Sequence, residues 1–148
     1  MCRSSESPLE RIKAALGEMP GWMARQPASA MGSVVIDCRQ AINMLEGHSA
    51  EATRRFETSG AYKADGALGI VPWLKDKTRL SGGDAFEHVQ VARHLKELPK
   101  TEAALARGEI GYEHAVVMAR SAENVGTAAV RKAEASLLQA AEAVDAGR

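Results

Sequence analysis

The sequence predicts an all-α fold, a multi-helix bundle with one long heptad-patterned helix, on three observations. Hydrophobic residues make up 45% of the 148 but aromatics only 4%, so the core must be built from Leu, Val, Ile, Met and much Ala, a helical palette. Apolar positions recur by threes and fours, and no strand-like alternation competes. Helix starts and stops are written as Ser7-Pro8, Leu98-Pro99 and Arg107-Gly108. Proline suits a first helical turn, and glycine takes the left-handed position after a last one.

In chain order, residues 1–7 are a polar tail that includes Cys2. Ser7 then caps a helix with Leu9, Ile12, Leu16 and Met19 at helical spacing, and Pro20-Gly21 is expected to end it. Residues 20–32 hold two prolines and two glycines, the composition of a loop, with Trp22 and Met23 expected to pin it to the core. The longest helical signal starts at Ser33, and Gly60 supplies its stop. Val35, Cys38, Ile42, Leu45, Ser49, Ala52 and Phe56 form an a/d seam along it, with Gly47, His48 and Ser49 weakening its middle toward a kink or break. Two roles for this seam stay open: packing on neighbouring helices of the same domain, or a homodimer interface built on Val35, Ile42, Leu45, Ala52 and Phe56.

Residues 60–69 are turn-rich around Asp65-Gly66. Ile70, Val71 and Pro72 open a short helix whose Trp73 and Leu74 face the core, and Leu80 closes the turn after it. Ser81 followed by Asp84 is a capping-box-like start. The helix it opens buries Ala85, Val89, Ala92 and Leu95, leaving Gly82, Gly83, Phe86, Glu87, Gln90, Arg93, His94 and Glu97 more exposed. Leu98-Pro99 starts the next helix, with Ala104 and Leu105 inward, and Arg107-Gly108 stops it. Another starts near Tyr112, with Ala115, Val116, Ala119 and Ala122 inward, where Gly111 is a weak N-cap. Thr127 is expected to cap a last helix that runs to Asp145 with Val130, Ala133, Leu137, Ala141 and Val144 on one side. Short helix, tight turn, capped helix over Trp73 to Glu97 is the outline of a helix-turn-helix-like unit.

Charge argues for restraint about its chemistry. Lys plus Arg and Asp plus Glu are equal at 19 each, whereas dedicated nucleic-acid binders are usually basic. Cys2 and Cys38 have no metal-ligand spacing and read as reduced thiols. No apolar run approaches a membrane span and the first residues lack a signal-peptide core, so a cytoplasmic protein without a membrane partner is expected. His48, His88, His94 and His114 show no ligand spacing, Ser81, Ser121 and Ser136 no nucleophile elbow, and Gly66 to Pro72 no phosphate loop. No metal, cofactor, small-molecule substrate or catalytic residue is therefore expected in this chain.

Four blocks of residues resemble the bacterial family called domain of unknown function 222, also known as the 13E12 repeat family. They are Arg54 to Ala67 (RRFETSGAYKADGA), Trp73 to Ser81 (WLKDKTRLS), Val91 to Ile110 (VARHLKELPKTEAALARGEI) and His114-Ala115. The resemblance divides the chain into a tail, short helix and loop at 1–32 and a helical domain at 33–148. It implies a region often placed N-terminal to an HNH endonuclease domain, here expected to be incomplete at its C-terminus, with no HNH domain present. Leu80 to Ala115 also resembles the helix-turn-helix segment of ParB-type partition proteins, which implies that Ser81 to Glu97 stands in the recognition position. The exposed side of that helix offers few donors for guanine edges, so phosphate contacts with double-stranded DNA are the expectation. The candidate residues are Lys75, Lys77, Arg79, Ser81, Gln90, Arg93, Lys96 and Lys100. The expected function is that of a non-catalytic accessory domain of an HNH-endonuclease-associated protein that helps it bind DNA; the alternative is a dimerisation domain without DNA contact.

Overall fold

The computed structural model describes residues 6–146, with side chains as far as Ala143; Cys2 and the Val144 side chain lie outside the described residues. All regular structure among the described residues is helical, in the order α1 (Pro8–Ala24), α2 (Met31–Ser59), α3 (Ile70–Thr78), α4 (Gly82–Leu95), α5 (Pro99–Ala106), α6 (Tyr112–Val125) and α7 (Thr127–Ala146). Short 3-10 turns occupy Ala28–Ala30 and Ala61–Asp65. No helix among the described residues is long and apolar enough to cross a membrane. The chain divides into two compact units, Met1–Asp37 and Cys38–Arg148.

In the first unit, Ser7 and Glu10 form a full capping box. Glu10 N–H donates to Ser7 Oγ at 3.2 Å and Ser7 N–H to Glu10 Oε2 at 2.6 Å, which holds the Glu10 carboxyl below its usual range. The expected stop at Pro20-Gly21 is wrong, because α1 runs on to Ala24 with Pro20 inside it. Proline's fixed φ is helical, and its cost is one lost amide bond, to Leu16 O. Leu16 is 58% exposed, so water can reach that carbonyl. The expected loop shrinks accordingly, and Trp22 and Met23 sit on α1, exposed rather than pinned to a core. No residue of α1 is buried.

In the second unit, α2 ends where expected, with Gly60 left-handed at φ 69°. It shows no break at Gly47, whose role is different. A Cβ there would stand 3.0 Å from both Cα and N of Ala106, so the missing side chain is what lets α2 cross α5. The face of α2 turned inward carries Asn43, Glu46, Gly47, Ala50, Arg54 and Glu57, and only Gly47 and Ala50 are fully buried. Most of its ties are polar. Arg54 donates to Ala92 O at 3.2 Å and to Glu102 Oε1 at 2.8 Å, and Glu57 holds Arg93. The apolar seam lies roughly 120° further round the helix, at about 100° per residue. Of its residues Phe56 is packed and Cys38 half-buried, whereas Ile42 and Leu45 are 41% and 36% exposed and Ser49 and Ala52 are exposed. Within its own domain the seam packs chiefly through Phe56 at its C-terminal end, and its middle is left exposed.

Three apolar clusters make the core of this unit. Ile70 and Leu74 of α3 meet Ala85 and Val89 of α4, with Phe56, Trp73 and Leu80 around them. The Phe56 and Trp73 rings lie 4.6 Å apart, and Trp73 Nε1–H donates to Asp65 Oδ2 at 2.7 Å. Val91, Ala92 and Leu95 of α4 pack with Ala50, Leu105, Ile110, Ala115 and Ala119. Leu98, Met118, Ala122 and Val130 form the third. The α4 stripe is as expected, with Val91 added to it.

The last helix differs from expectation. Thr127 is its first residue rather than its cap, and Leu137, assigned to the apolar side, is 42% exposed. Between them Glu134 is buried at 1% exposure. Its Oε1 accepts from Thr101 N–H at 2.6 Å and from Thr101 Oγ1–H at 2.9 Å. Leu98 stands at the N-cap of α5 without a capping side chain, and Glu134 supplies that function from α7.

Candidate nucleic-acid interface

The eight candidate DNA-contacting residues run from α3 to the start of α5. Gly69 is extended and α3 begins without a side-chain cap, which leaves Pro72 harmless in the first turn. At the other end Arg79 takes the left-handed conformation at φ 60°, alone among the described non-glycine residues. Ser81 then caps α4 by accepting from Asp84 N–H at 3.0 Å. These features make the turn between α3 and α4 three residues long and place Lys75, Lys77 and Arg79, all exposed, within five residues of it.

The candidates divide by what already holds them. Ser81 Oγ is spent as a cap and donates its proton to Asp84 Oδ2 at 2.7 Å. Arg93 is clasped by both oxygens of Glu57, which raises its already high pKa through that hydrogen bond. Gln90 is half-buried and lines a groove between α4 and α6 with Phe86, Glu87, His94, Val116 and Arg120. Lys77 Nζ lies 3.8 Å from Asp76 Oδ2, a loose exposed pair worth little. Lys75, Arg79, Lys96 and Lys100 are exposed and form no ion pair among the described residues. The cations are thus a small cluster at the α3–α4 turn and a separate pair past the end of α4.

The outward face of α4 is not cationic. Arg120 of α6 reaches Glu87 Oε2 at 2.7 Å, so a neighbouring helix is tied to the side that would have to enter a groove. With Gly83, Phe86, Glu87 and Gln90 along it, this face suits neither phosphates nor guanine edges. What the arrangement can do chemically is contact phosphates from the turn.

A second cluster went unforeseen. His88 Nδ1 hydrogen-bonds the Tyr112 hydroxyl, and Tyr112 N–H donates to Asn43 Oδ1 at 3.1 Å. Burial first, then the carboxylates Glu46, Glu87, Glu113 and Asp84, push the Tyr112 phenol well above its ordinary value and keep it neutral. Asn43 is the capping group that Gly111 cannot provide, and His114 Nδ1 accepts from Gly111 N–H at 3.2 Å. His114 thus closes the turn that precedes α6. The sequence carries no local signal for Asn43 and Tyr112, which are 69 residues apart. Among the described residues no group of three or more His, Cys, Asp or Glu is arranged to hold a metal ion.

Neither the curated proteins nor the solved structures give a match to this chain. The family model described as "Domain of unknown function (DUF222)" matches residues 33–148, which take in the whole second compact unit. With its helical fold and the Arg54–Ala67 and Val91–Ile110 blocks in place, the chain belongs to the domain of unknown function 222 family.

Proposed function

We propose that this chain is a non-catalytic accessory domain that helps an HNH-endonuclease-associated protein hold double-stranded DNA in the cytoplasm. In this reading α3, the turn and α4 act as a helix-turn-helix-like scaffold whose turn touches the phosphate backbone. The observation that carries it is the exposure of Lys75, Lys77 and Arg79 at one tight turn, with Arg79 outside any ion pair among the described residues. Three phosphate contacts correspond to a log–log salt slope of about −2.7, at about −0.9 each. Fluorescence anisotropy of a labelled duplex at several salt concentrations measures it. Lys77→Ala with Arg79→Ala is expected to flatten the slope by about 1.8, equally for different sequences. No binding at low salt, or a double variant that binds like the parent, overturns the reading.

A second reading is favoured by a different observation, the exposed apolar seam of α2. Here the domain self-associates through the exposed Val35, Ile42, Leu45 and Ala52, with Phe56 given up to the core beside Trp73. Sedimentation is then expected to show a concentration-dependent dimer that Leu45→Glu disrupts, and a monomer at high concentration rejects it. The two readings are compatible, because helix-turn-helix proteins often bind as dimers.

A further inference from the structure

Residues 66–69 form a short loop between the Ala61–Asp65 turn and α3, and it carries Leu68, an apolar side chain 99% exposed. The loop is held at both ends. Gly66 stands in the left-handed region at φ 78°, with its N–H donating to Lys63 O at 3.0 Å. Trp73 grips both flanks, donating from Nε1–H to Asp65 Oδ2 at 2.7 Å and from its backbone N–H to Gly69 O at 3.2 Å. The segment is thus clamped onto α3 and presents Leu68 on a fixed base. At that exposure the side chain buries nothing in the folded chain, so stability does not ask for leucine there.

Leu68 also shares a face with cations. With Pro72, Trp73, Asp76 and Lys77 it lines one hollow of about 320 Å³ along α3. From Gly60 to Arg79 the chain carries Lys63, Lys75, Lys77 and Arg79, all exposed, against two carboxylates, Asp65 and Asp76. Asp65 is committed to the Trp73 indole, and Asp76 lies 3.8 Å from Lys77. This stretch is therefore net positive in a chain whose total charge is zero. An apolar tip beside exposed cations complements a DNA groove, where apolar side chains enter between base steps and cations take the phosphates.

Resting on the DNA-contact reading above, we propose that Leu68 is a wedge that enters the minor groove of double-stranded DNA and kinks it, while Lys75, Lys77 and Arg79 hold adjacent phosphates. Such a wedge partly unstacks one base step and bends the duplex by about 20–90° toward the major groove. The steps that yield most easily are pyrimidine–purine ones, TA and CA/TG, whereas A-tracts are stiff. Leu68 then chooses where the domain settles through the deformability of the duplex. No hydrogen bond to a base edge is needed, which suits a chain whose α4 face offers no reader for guanine edges.

The test uses the full chain and a short duplex with a central TA step and a donor and acceptor dye at its ends. Energy transfer at low salt is expected to rise on binding, as the kink brings the ends together. Leu68→Ala removes a side chain with no packing role, so the fold is unaffected. It is expected to abolish the rise and to weaken binding on the order of tenfold. Its salt slope should match the parent's, because no phosphate contact is lost. Leu68→Met keeps an apolar wedge and should keep the bend. Replacing the TA step by an A-tract is expected to weaken the parent more than Leu68→Ala. A parent that binds without bending, or a Leu68→Ala variant that binds and bends like it, overturns the wedge and leaves the phosphate contact of the turn standing. That outcome is the one an acidic protein partner on this face predicts. No duplex binding at low salt overturns both.

Discussion

Glu134 is a carboxylate buried where the sequence pattern asks for an apolar residue, and its partners explain why it is tolerated. Two donors of Thr101 at the start of α5 share one oxygen, and the helix end favours negative charge. Glu134→Ala leaves those donors unpaired and is expected to cost about 2–3 kcal/mol, whereas Glu134→Gln, which keeps an acceptor oxygen, should cost less than half of that. Urea denaturation of both variants checks it, and equal losses would count against the capping role. Tyr112 makes a pH-dependent prediction. Its phenol is pushed above the ordinary value of 10.0 in the folded chain. The unfolded chain therefore gives up this proton first as the pH rises, and the folded state loses stability from near pH 10 upward. Below that the contribution is fully present. Tyr112→Phe is expected to flatten this alkaline decline, measured as the denaturation midpoint between pH 8 and about 11.

Among the helices, local caps were legible and caps supplied from afar were not, although the starts of α5 at Pro99 and of α6 near Tyr112 were themselves expected. Ser7 with Glu10 and Ser81 with Asp84 lie three residues apart, so the pattern and the bond coincide. The N-termini of α5 and α6 are served by Glu134 and Asn43, which only folding brings there. Glycine shows the same division. Gly17, in α1, has nothing within 4 Å of a would-be Cβ, whereas Gly47 meets the backbone of α5 at 3.0 Å. Gly17→Ala is expected to stabilise its helix by up to about 1 kcal/mol, from propensity alone. Gly47→Ala gains the same propensity but must push α2 off α5, with a net cost of roughly 1–3 kcal/mol. Circular dichroism melts of the two variants should therefore move in opposite directions.

For the whole molecule, net charge of zero already argued against a strong electrostatic grip on DNA. Side-chain pairing sharpens the point, since Arg93 and Arg120 are held by Glu57 and Glu87. The exposed cations outside ion pairs among the described residues thus lie at a turn and past a helix end rather than along the face of α4. The sequence by itself determined the all-helical class, the order of the helices and the α3–turn–α4 unit with its buried stripe. Those follow from periodicity, proline and glycine, and caps within one turn of the residues they serve, all of which are local. Tertiary structure alone decided which face of α2 turns inward. Hydrophobic period marks the apolar side of a helix, and it equates that side with the core. In α2 the inward side is held by Asn43, Arg54 and Glu57 through partners 36 to 69 residues away, so the apolar seam was left outside.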